Sequence, residues 1–347
     1  MMPRTPVVDV HQRPLGVLRL SLTARCNLSC PYCCPDSSDR PGLLNLEEQL
    51  RLIRVACRLG AHTLRLTGGE PLLSSQLLPL LQNVFEARRL QGDPMQGLRE
   101  VALTTNGVLL TQQMGRQLKT AGLDRITISL DAVEGAVAAK MTGLQGGSVA
   151  GDRYVQKVLA GVETAKTSGF TPSVGALKLN AVIQRGVNDH QLRPLAHLAR
   201  KHGLELRLIE FMDVGNRNGW TKDQVVPAAE MVQRIGAVWP LQSLGRDVGG
   251  TAQRWRYADG GGVLGVIASI SEPFCGDCNR LRVTADGQAF SCLFASEGTD
   301  LSPYIHSDIA LEAVIQSLWR QRNDRYSEHR RDLAPRASRA EMAYLGG

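Results

Sequence analysis

Three cysteines near the amino terminus can do chemistry together. They stand as Cys26-Asn-Leu-Ser-Cys30-Pro-Tyr-Cys33, a C-x3-C-x2-C run just past an apolar stretch at 17–22. Soft thiolates select iron–sulfur clusters, zinc or copper(I). All-cysteine ligation of a cubane [4Fe–4S] cluster takes four thiolates, so a run of three leaves one iron open to an outside ligand. That vacancy turns an electron carrier into a candidate catalytic centre. Zinc prefers four protein donors, in paired C-x2-4-C blocks or as cysteine with histidine. No histidine lies between Arg13 and His62, so a local zinc site lacks its fourth donor unless Cys34 serves. Disulfides need an oxidising compartment. No apolar signal segment follows Met-Met-Pro-Arg-Thr-Pro, so a cytoplasmic location is expected.

A second trio lies far along the chain. Cys275-Gly-Asp-Cys278 is followed after thirteen residues by Cys292. By itself this spacing fits zinc as well as an iron–sulfur cluster. Arg280 and Arg282 stand two apart just beyond Cys278, and on a strand they point the same way. Each offers a planar fork for a phosphate or a base edge, or else is an ordinary surface arginine.

These residues need elements to hold them. Short β-branched runs at 18–22, 63–67, 101–105, 125–130, 176–183 and 205–211 read as strands. Amphipathic patterns at 46–59, 77–88, 112–121, 154–168 and 191–202 read as the helices between them. Six βα units in a row predict a parallel sheet with right-handed crossovers. The natural closure is an α/β fold, a partial (β/α)6 TIM-like barrel, with its site beyond the carboxyl ends of the strands. Cys26–Cys33, Gly68-Gly69-Glu70-Pro71, Thr105-Asn106, Ser129-Leu130-Asp131, Lys178, Asn180, Arg207 and Met212 are expected there. Segments 91–97 and 143–151, rich in Gly, Gln and Ser, read as surface loops. The barrel pattern stops after Trp220. The chain is therefore expected to divide into 1–220 and an α+β extension, 221–347, carrying the second trio.

Composition narrows the partners. The chain has 347 residues, 43% hydrophobic, enough for a substantial core. Aromatics are 5%, which argues against a stacking platform for nucleic acid. No apolar run approaches a membrane span. The formal charge of +7 suits a polyanionic ligand. Seven arginines fall between Trp319 and Arg339, a pattern that a solvated helix face also produces. Cys57 sits in an amphipathic pattern and reads as a small core residue.

The first trio, with Tyr32 at the aromatic position of C-x3-C-x-aromatic-C, resembles the signature of the radical S-adenosylmethionine superfamily. The stretch Phe274-Cys275-Gly-Asp-Cys278-Asn-Arg280-Leu-Arg282, then Cys292-Leu293-Phe294, narrows the resemblance to the molybdenum cofactor biosynthesis protein A family, the GTP 3′,8-cyclases. Leu64-Arg65-Leu66-Thr67-Gly68-Gly69-Glu70-Pro71, Leu177-Lys178-Leu179-Asn180, Glu210-Phe211-Met212-Asp213-Val214-Gly215 and the closing Gly346-Gly347 extend it over nearly the whole chain.

The resemblance implies two [4Fe–4S] clusters facing one cavity, on Cys26, Cys30 and Cys33 and on Cys275, Cys278 and Cys292. The first would cleave S-adenosylmethionine to a 5′-deoxyadenosyl radical. The second would hold the guanine of GTP while C3′ is joined to C8. Tyr32, Gly69, Ser129 and Met212 match positions that contact S-adenosylmethionine, a glycine letting backbone groups approach it closely. Arg19, Arg65, Thr105, Lys178, Arg207, Arg280 and Arg282 match positions around GTP, although Thr63 stands where another basic residue is expected. Gly346 and Gly347 would reach into the active cavity. The implied partners are GTP, a flavodoxin- or ferredoxin-like electron donor, a downstream cyclic pyranopterin monophosphate synthase and a second copy of the chain in a homodimer. No membrane or nucleic acid is implied. Two other readings fit the cysteines: a peptide-modifying enzyme of the same superfamily, and a noncatalytic electron carrier. The carrier does not explain the Gly68–Pro71 run or the arginine pair.

Overall fold

Alternating apolar residues build the six expected strands: β1 (Val17–Ser21), β2 (Thr63–Thr67), β3 (Glu100–Thr105), β4 (Arg125–Ser129), β5 (Leu177–Ile183) and β6 (Glu205–Glu210). They are seen in a computed structural model that describes residues 6–330 and 339–346. The strands pair in parallel and in chain order. Six helices fill the crossovers: α1 (Leu46–Arg58), α2 (Leu77–Ala87), α3 (Gln112–Thr120), α4 (Gly135–Thr142), α5 (Gly147–Thr167) and α6 (Leu192–His202). Local chemistry sets their ends. The Asn45 side chain accepts from the Glu48 amide while Glu48 reaches back to the Asn45 amide, so α1 starts on a capping box. Gly203, in the left-handed region at φ +70°, stops α6.

The carboxy-terminal part extends both edges of this sheet. It contains α7 (Ala228–Gly236), β7 (Leu241–Arg246), β8 (Gln253–Tyr257), β9 (Val263–Ile267), β10 (Arg280–Val283), β11 (Gln288–Phe290), β12 (Thr299–Asp300), α8 (Asp308–Arg320) and α9 (Tyr326–His329). β9 lies parallel to β6, and β10 lies parallel to β1. Antiparallel strands then finish each side, giving the order β12-β11-β10-β1-β2-β3-β4-β5-β6-β9-β8-β7. The barrel is partial and open, as the six-unit pattern predicts, and α6 and α7 pack side by side on its outside. The main core is a cluster rich in Leu, Ile, Val and Ala from the strands and the inner helix faces, and a second, smaller one gathers Val214, Phe290, Phe294, Tyr326, Tyr344 and Leu345. No helix among the described residues is long and apolar enough to cross a membrane.

Two expected loops are corrected. Residues 143–146 form the expected connection, but 147–151 are helical, because α5 begins at Gly147. A Cβ on Gly151 would stand 1.7 Å from the Gly135 carbonyl oxygen, and one on Gly143 would stand 2.3 Å from that of Ser29. These two glycines let α4 press against α5 and against the first cysteine loop; they do not mark flexibility. Within 91–97, residues Pro94–Gly97 form a short 3-10 turn whose Met95 is fully buried.

Candidate functional site

The first cysteine loop leaves the carboxyl end of β1 and is clamped at its base by Asp39. That carboxylate accepts from Thr23 Oγ1 and the Ala24 amide, both at 2.7 Å, and from Arg25 Nε at 2.8 Å. The Gly68–Pro71 turn after β2 docks against the same loop. Gly69 N donates to the Thr23 carbonyl and Glu70 N to the Arg25 carbonyl, each at 2.8 Å. A Cβ on Gly69 would lie 2.2 Å from the Arg25 oxygen, so that glycine admits the neighbouring chain on its Cβ side. This is a closer reason for the glycine than the approach of a bound cofactor.

Glu70 ties this turn to the next. Its fully buried carboxylate accepts from Leu72 N, Thr105 Oγ1 at 2.7 Å and Asn106 N at 2.8 Å. Burial pushes its pKa up to about 7. The Thr105 hydroxyl also accepts from Gly107 N, so it is engaged within the wall. Asp131, after β4, accepts from Tyr32 Oη at 2.7 Å and from Val182 N at 2.8 Å, and burial raises it to about 6.

These turns surround a cavity of about 270 Å³ that runs into the barrel. All six cysteines of the two trios line it. So do Tyr32, Gly69, Thr105, Ser129 and Met212, and so do Arg19, Arg65, Arg207, Arg280 and Arg282. The residues of one cavity therefore come from both ends of the chain. Burial pushes the Cys30 and Cys33 thiols up, and neighbouring thiols of the same trio add to it. Burial also opposes ionisation of Cys278, but Arg280, Arg322 and Arg282 outweigh it and bring that thiol down to about 6. Such a cysteine is ready to bind metal as thiolate.

The donor set of each trio, three thiols at one cavity, suits iron–sulfur ligation. Among the described residues no three His, Cys, Asp or Glu side chains are grouped to hold a single metal ion. A zinc site gathers four donors at about 2.0–2.3 Å from one ion. Thiolates that each bind a different iron of a cluster stand further apart. Cys34 faces away from this role, its thiol donating to the Pro31 carbonyl at 3.0 Å. Cys57 packs on the core and burial raises it to about 12.

Strand register sets the electrostatics. Arg19 on β1 is the pairing partner of Arg282 on β10 and of Arg65 on β2. Three arginines thus sit side by side at one level of the sheet, where adjacent strands lie about 4.8 Å apart. Like charges in register cost stability unless an anion is shared between them. Arg65 Nε and the Arg282 Nε and Nη1 atoms are buried without a hydrogen-bond partner. Burial, then Arg282 and Arg280, push Arg19 down to about 9, which leaves it charged at neutral pH.

Lys178 corrects one expectation. It stands at the second position of β5, at the amino end of the barrel, and not at the carboxyl ends with the other residues. There it lines a smaller cavity of about 190 Å³ that shares Arg65, Arg207 and Arg280 with the larger one. Its ammonium is paired with Glu205 at 2.9 Å, which also accepts from Arg207 Nε at 2.6 Å. Thr63 lines neither cavity, whereas Arg125 and Arg254 add cations to the smaller one.

The carboxy-terminal tail enters the same region. Gly346 lies against Thr67 and Ser21, and its carbonyl accepts from Arg19 Nη2 at 2.6 Å. Tyr344 holds the tail in place, donating to Asp286 Oδ2 at 2.9 Å beneath the Arg40 guanidinium. Gly347 lies outside the described residues. The sequence reading missed Arg322, Asp324, Ser327 and Met342, all of which line the larger cavity. They carry no spacing motif, and only the fold of the last segment back across β10 brings them there.

Comparison with known proteins places this geometry. The profile of the Radical SAM superfamily matches residues 20–199, and that of Molybdenum Cofactor Synthesis C matches residues 204–328. The chain is 68% identical over 99% of its length, and 99% of the relative's, to the GTP 3′,8-cyclase of Synechococcus sp. (strain CC9605). It is 66% identical over the full length of both chains to that of Synechococcus sp. (strain WH7803). Its fold is similar to the crystal structure of Streptococcus suis SuiB bound to S-adenosylmethionine, with a TM-score of 0.58, 14% identity, and 88% of this chain and 69% of that one covered. Whole-length identity of this size, on an open barrel with both cysteine trios at one cavity, means that the chain belongs to the GTP 3′,8-cyclase family of radical S-adenosylmethionine enzymes.

Proposed function

We propose that this chain converts GTP to (8S)-3′,8-cyclo-7,8-dihydroguanosine 5′-triphosphate, a lyase reaction that opens molybdenum cofactor biosynthesis. The observation that carries the reading is the pairing of two cysteine trios, each one donor short of four, across a cavity bordered by a row of arginines. Cys26, Cys30 and Cys33 would hold one [4Fe–4S] cluster, and Cys275, Cys278 and Cys292 a second. Bound there, the first cluster with S-adenosylmethionine would supply the radical chemistry at C3′ of GTP, and the second would anchor the guanine.

The protein's own residues then bind and orient. Tyr32, pinned by Asp131, together with Gly69, Ser129 and Met212, borders the space beside the first trio. Arg19, Arg65, Arg207, Arg280 and Arg282 present forks to a triphosphate, with Lys178 at its far end. Leu28, Phe211, Phe274 and Phe294 line the cavity with apolar surface and keep water from a radical centre. Gly346, held by Arg19, and Gly347 after it would close the nucleotide side. Residues 1–220 would carry the radical chemistry and 221–347 the nucleotide anchor. The enzyme would be cytoplasmic, draw electrons from a flavodoxin- or ferredoxin-like donor, hand its product toward cyclic pyranopterin monophosphate synthase, and work as a homodimer.

The test is anaerobic reconstitution followed by incubation with S-adenosylmethionine, dithionite and GTP. Wild type should yield both 5′-deoxyadenosine and the cyclised nucleotide. Cys30→Ala should yield neither. Cys278→Ala should yield 5′-deoxyadenosine without the cyclised nucleotide; full product from this variant rules out the second trio as anchor. Modification of a peptide with no reaction on GTP overturns the reading altogether.

A further inference from the structure

A buried charge cluster stands beside the second cysteine trio, and of its members only Arg322 has so far been placed, at the cavity wall. Asp9 is 0% exposed at its side chain, Arg13 2% and Arg322 1%. The Asp9 carboxylate pairs with Arg13 Nε at 2.5 Å and with Arg322 Nη1 at 3.4 Å. Both arginines then turn their remaining donors on the Cys275–Cys278 loop. Arg13 Nη1 donates to the Cys275 carbonyl at 2.8 Å, and Arg322 Nη1 to the Cys278 carbonyl at 2.6 Å. Arg13 Nη1 also reaches the Asp324 carbonyl at 2.8 Å, and the Trp319 indole donates to the Arg13 carbonyl at 3.0 Å.

Three distant segments therefore meet at one point: the amino-terminal hairpin around Val8 and Pro14, the cysteine loop, and the end of α8. Two cations share the Asp9 carboxylate, and Arg322 Nε has Asp324 at 3.6 Å as a second, less buried partner, so of the two arginines Arg13 leans on Asp9 alone. Burying a charge in that way is expensive unless something nearby answers it. The cysteine loop is the neighbour that can. A cluster held by three thiolates is anionic overall, and outer-shell donors and charges both orient such ligands and set the potential of what they hold.

We infer that Asp9, Arg13 and Arg322 are positioning residues for the second iron–sulfur site, fixing the Cys275 and Cys278 backbone and supplying a positive charge that favours its reduced form. This rests on the reading that the second trio holds a cluster. Removing the charge at Arg13 should lower the midpoint potential of that cluster and loosen its hold on iron. Keeping the charge but losing the fork, as in Arg13→Lys, should loosen the iron while leaving the potential near the parent value. A purely structural brace moves stability and does not separate Lys from Gln in this way.

The experiment uses the full chain with Cys26, Cys30 and Cys33 replaced by Ala, reconstituted with iron and sulfide, so that only the second site reports. Iron content, release to a chelator, and the potential from an EPR-monitored redox titration are read for the parent, Arg13→Gln, Arg13→Lys and Asp9→Asn. The parent should hold about four irons, the content of one cubane. Arg13→Gln should release iron several-fold faster and titrate at a lower potential, and Asp9→Asn at a higher one. If Arg13→Gln does not fold, the Lys and Asn variants still decide. Parent protein without iron removes both the cluster reading and this inference. Iron-loaded parent with unchanged retention and potential in the variants, or equal shifts in Lys and Gln, overturns the inference alone.

Discussion

Arg19 and Gly346 are 327 positions apart in the chain, yet the Arg19 guanidinium donates to the Gly346 carbonyl at 2.6 Å. The first strand of the barrel thus holds the end of the carboxy-terminal tail at the cavity wall. Arg19 is also the middle member of the three-arginine row, so one side chain connects the tail to the site proposed for phosphate.

Gly346 should not tolerate a side chain. It has φ +66°, and a Cβ there would lie 2.2 Å from Thr67 Oγ1. The left-handed conformation alone costs a non-glycine residue roughly 1–2 kcal/mol. Gly346→Ala should leave global melting near wild type, raise hydrogen exchange across residues 339–346, and cut cyclised product about tenfold or more, since 1.4 kcal/mol is one decade in rate. Release of 5′-deoxyadenosine should persist. Normal product from this variant removes the tail from the mechanism.

The arginine row predicts a trade between stability and binding. Arg282→Met relieves like-charge crowding with Arg19 in a buried register pair and should stabilise the nucleotide-free protein by about 1 kcal/mol. It should weaken GTP binding roughly 10- to 100-fold, the loss expected for a charged hydrogen-bonded contact. Thermal melts with and without GTP, and calorimetric titration, read the two effects. A variant that loses stability and keeps its affinity contradicts the phosphate assignment.

Lys178 gives nucleotide binding a pH limit. Burial, and then Arg207, bring its ammonium down to about 8, against the pull of Glu205. A lysine with a depressed value is charged below that pH and neutral above it. GTP affinity should therefore fall between pH 7 and 9 in wild type. Lys178→Met should bind more weakly at pH 7 and lose that fall. A parallel decline in both proteins assigns the effect to another group.

Glu70 makes the stability of the ligand-free protein depend on pH. Burial raises its carboxyl from 4.5 to about 7. For an acid raised on folding, the stabilisation relative to the ionised chain is present at low pH and is lost as pH climbs through that window. The total is about 3 kcal/mol at most. Glu70→Gln should flatten the slope of denaturant stability between pH 5 and 7.5. An unchanged slope would place the titration elsewhere, with Asp131, raised to about 6, the next carboxylate to replace.

Local spacing decided much of this protein. The six βα units follow from short-range periodicity, and strands β1 to β6 form within a residue or two of where alternation places them. The cysteine trios and the Arg280, Arg282 pair are likewise spelled out by neighbours in sequence. Glycine was the poorest guide, because Gly151 lies inside α5 for close packing while Gly143 both ends α4 and meets Ser29, and composition cannot tell these uses apart.

Only the tertiary structure decided which separated pieces meet. Parallel pairing of β10 with β1 sets Arg282 beside Arg19 and carries the second trio to the first. The same fold buries Asp9 between Arg13 and Arg322 and returns Gly346 to β1. Such contacts depend on sheet order and edge pairing between segments hundreds of residues apart, and no local period encodes them. Residue types and spacing therefore set the available chemistry, while long-range strand pairing determined that it is done in one cavity.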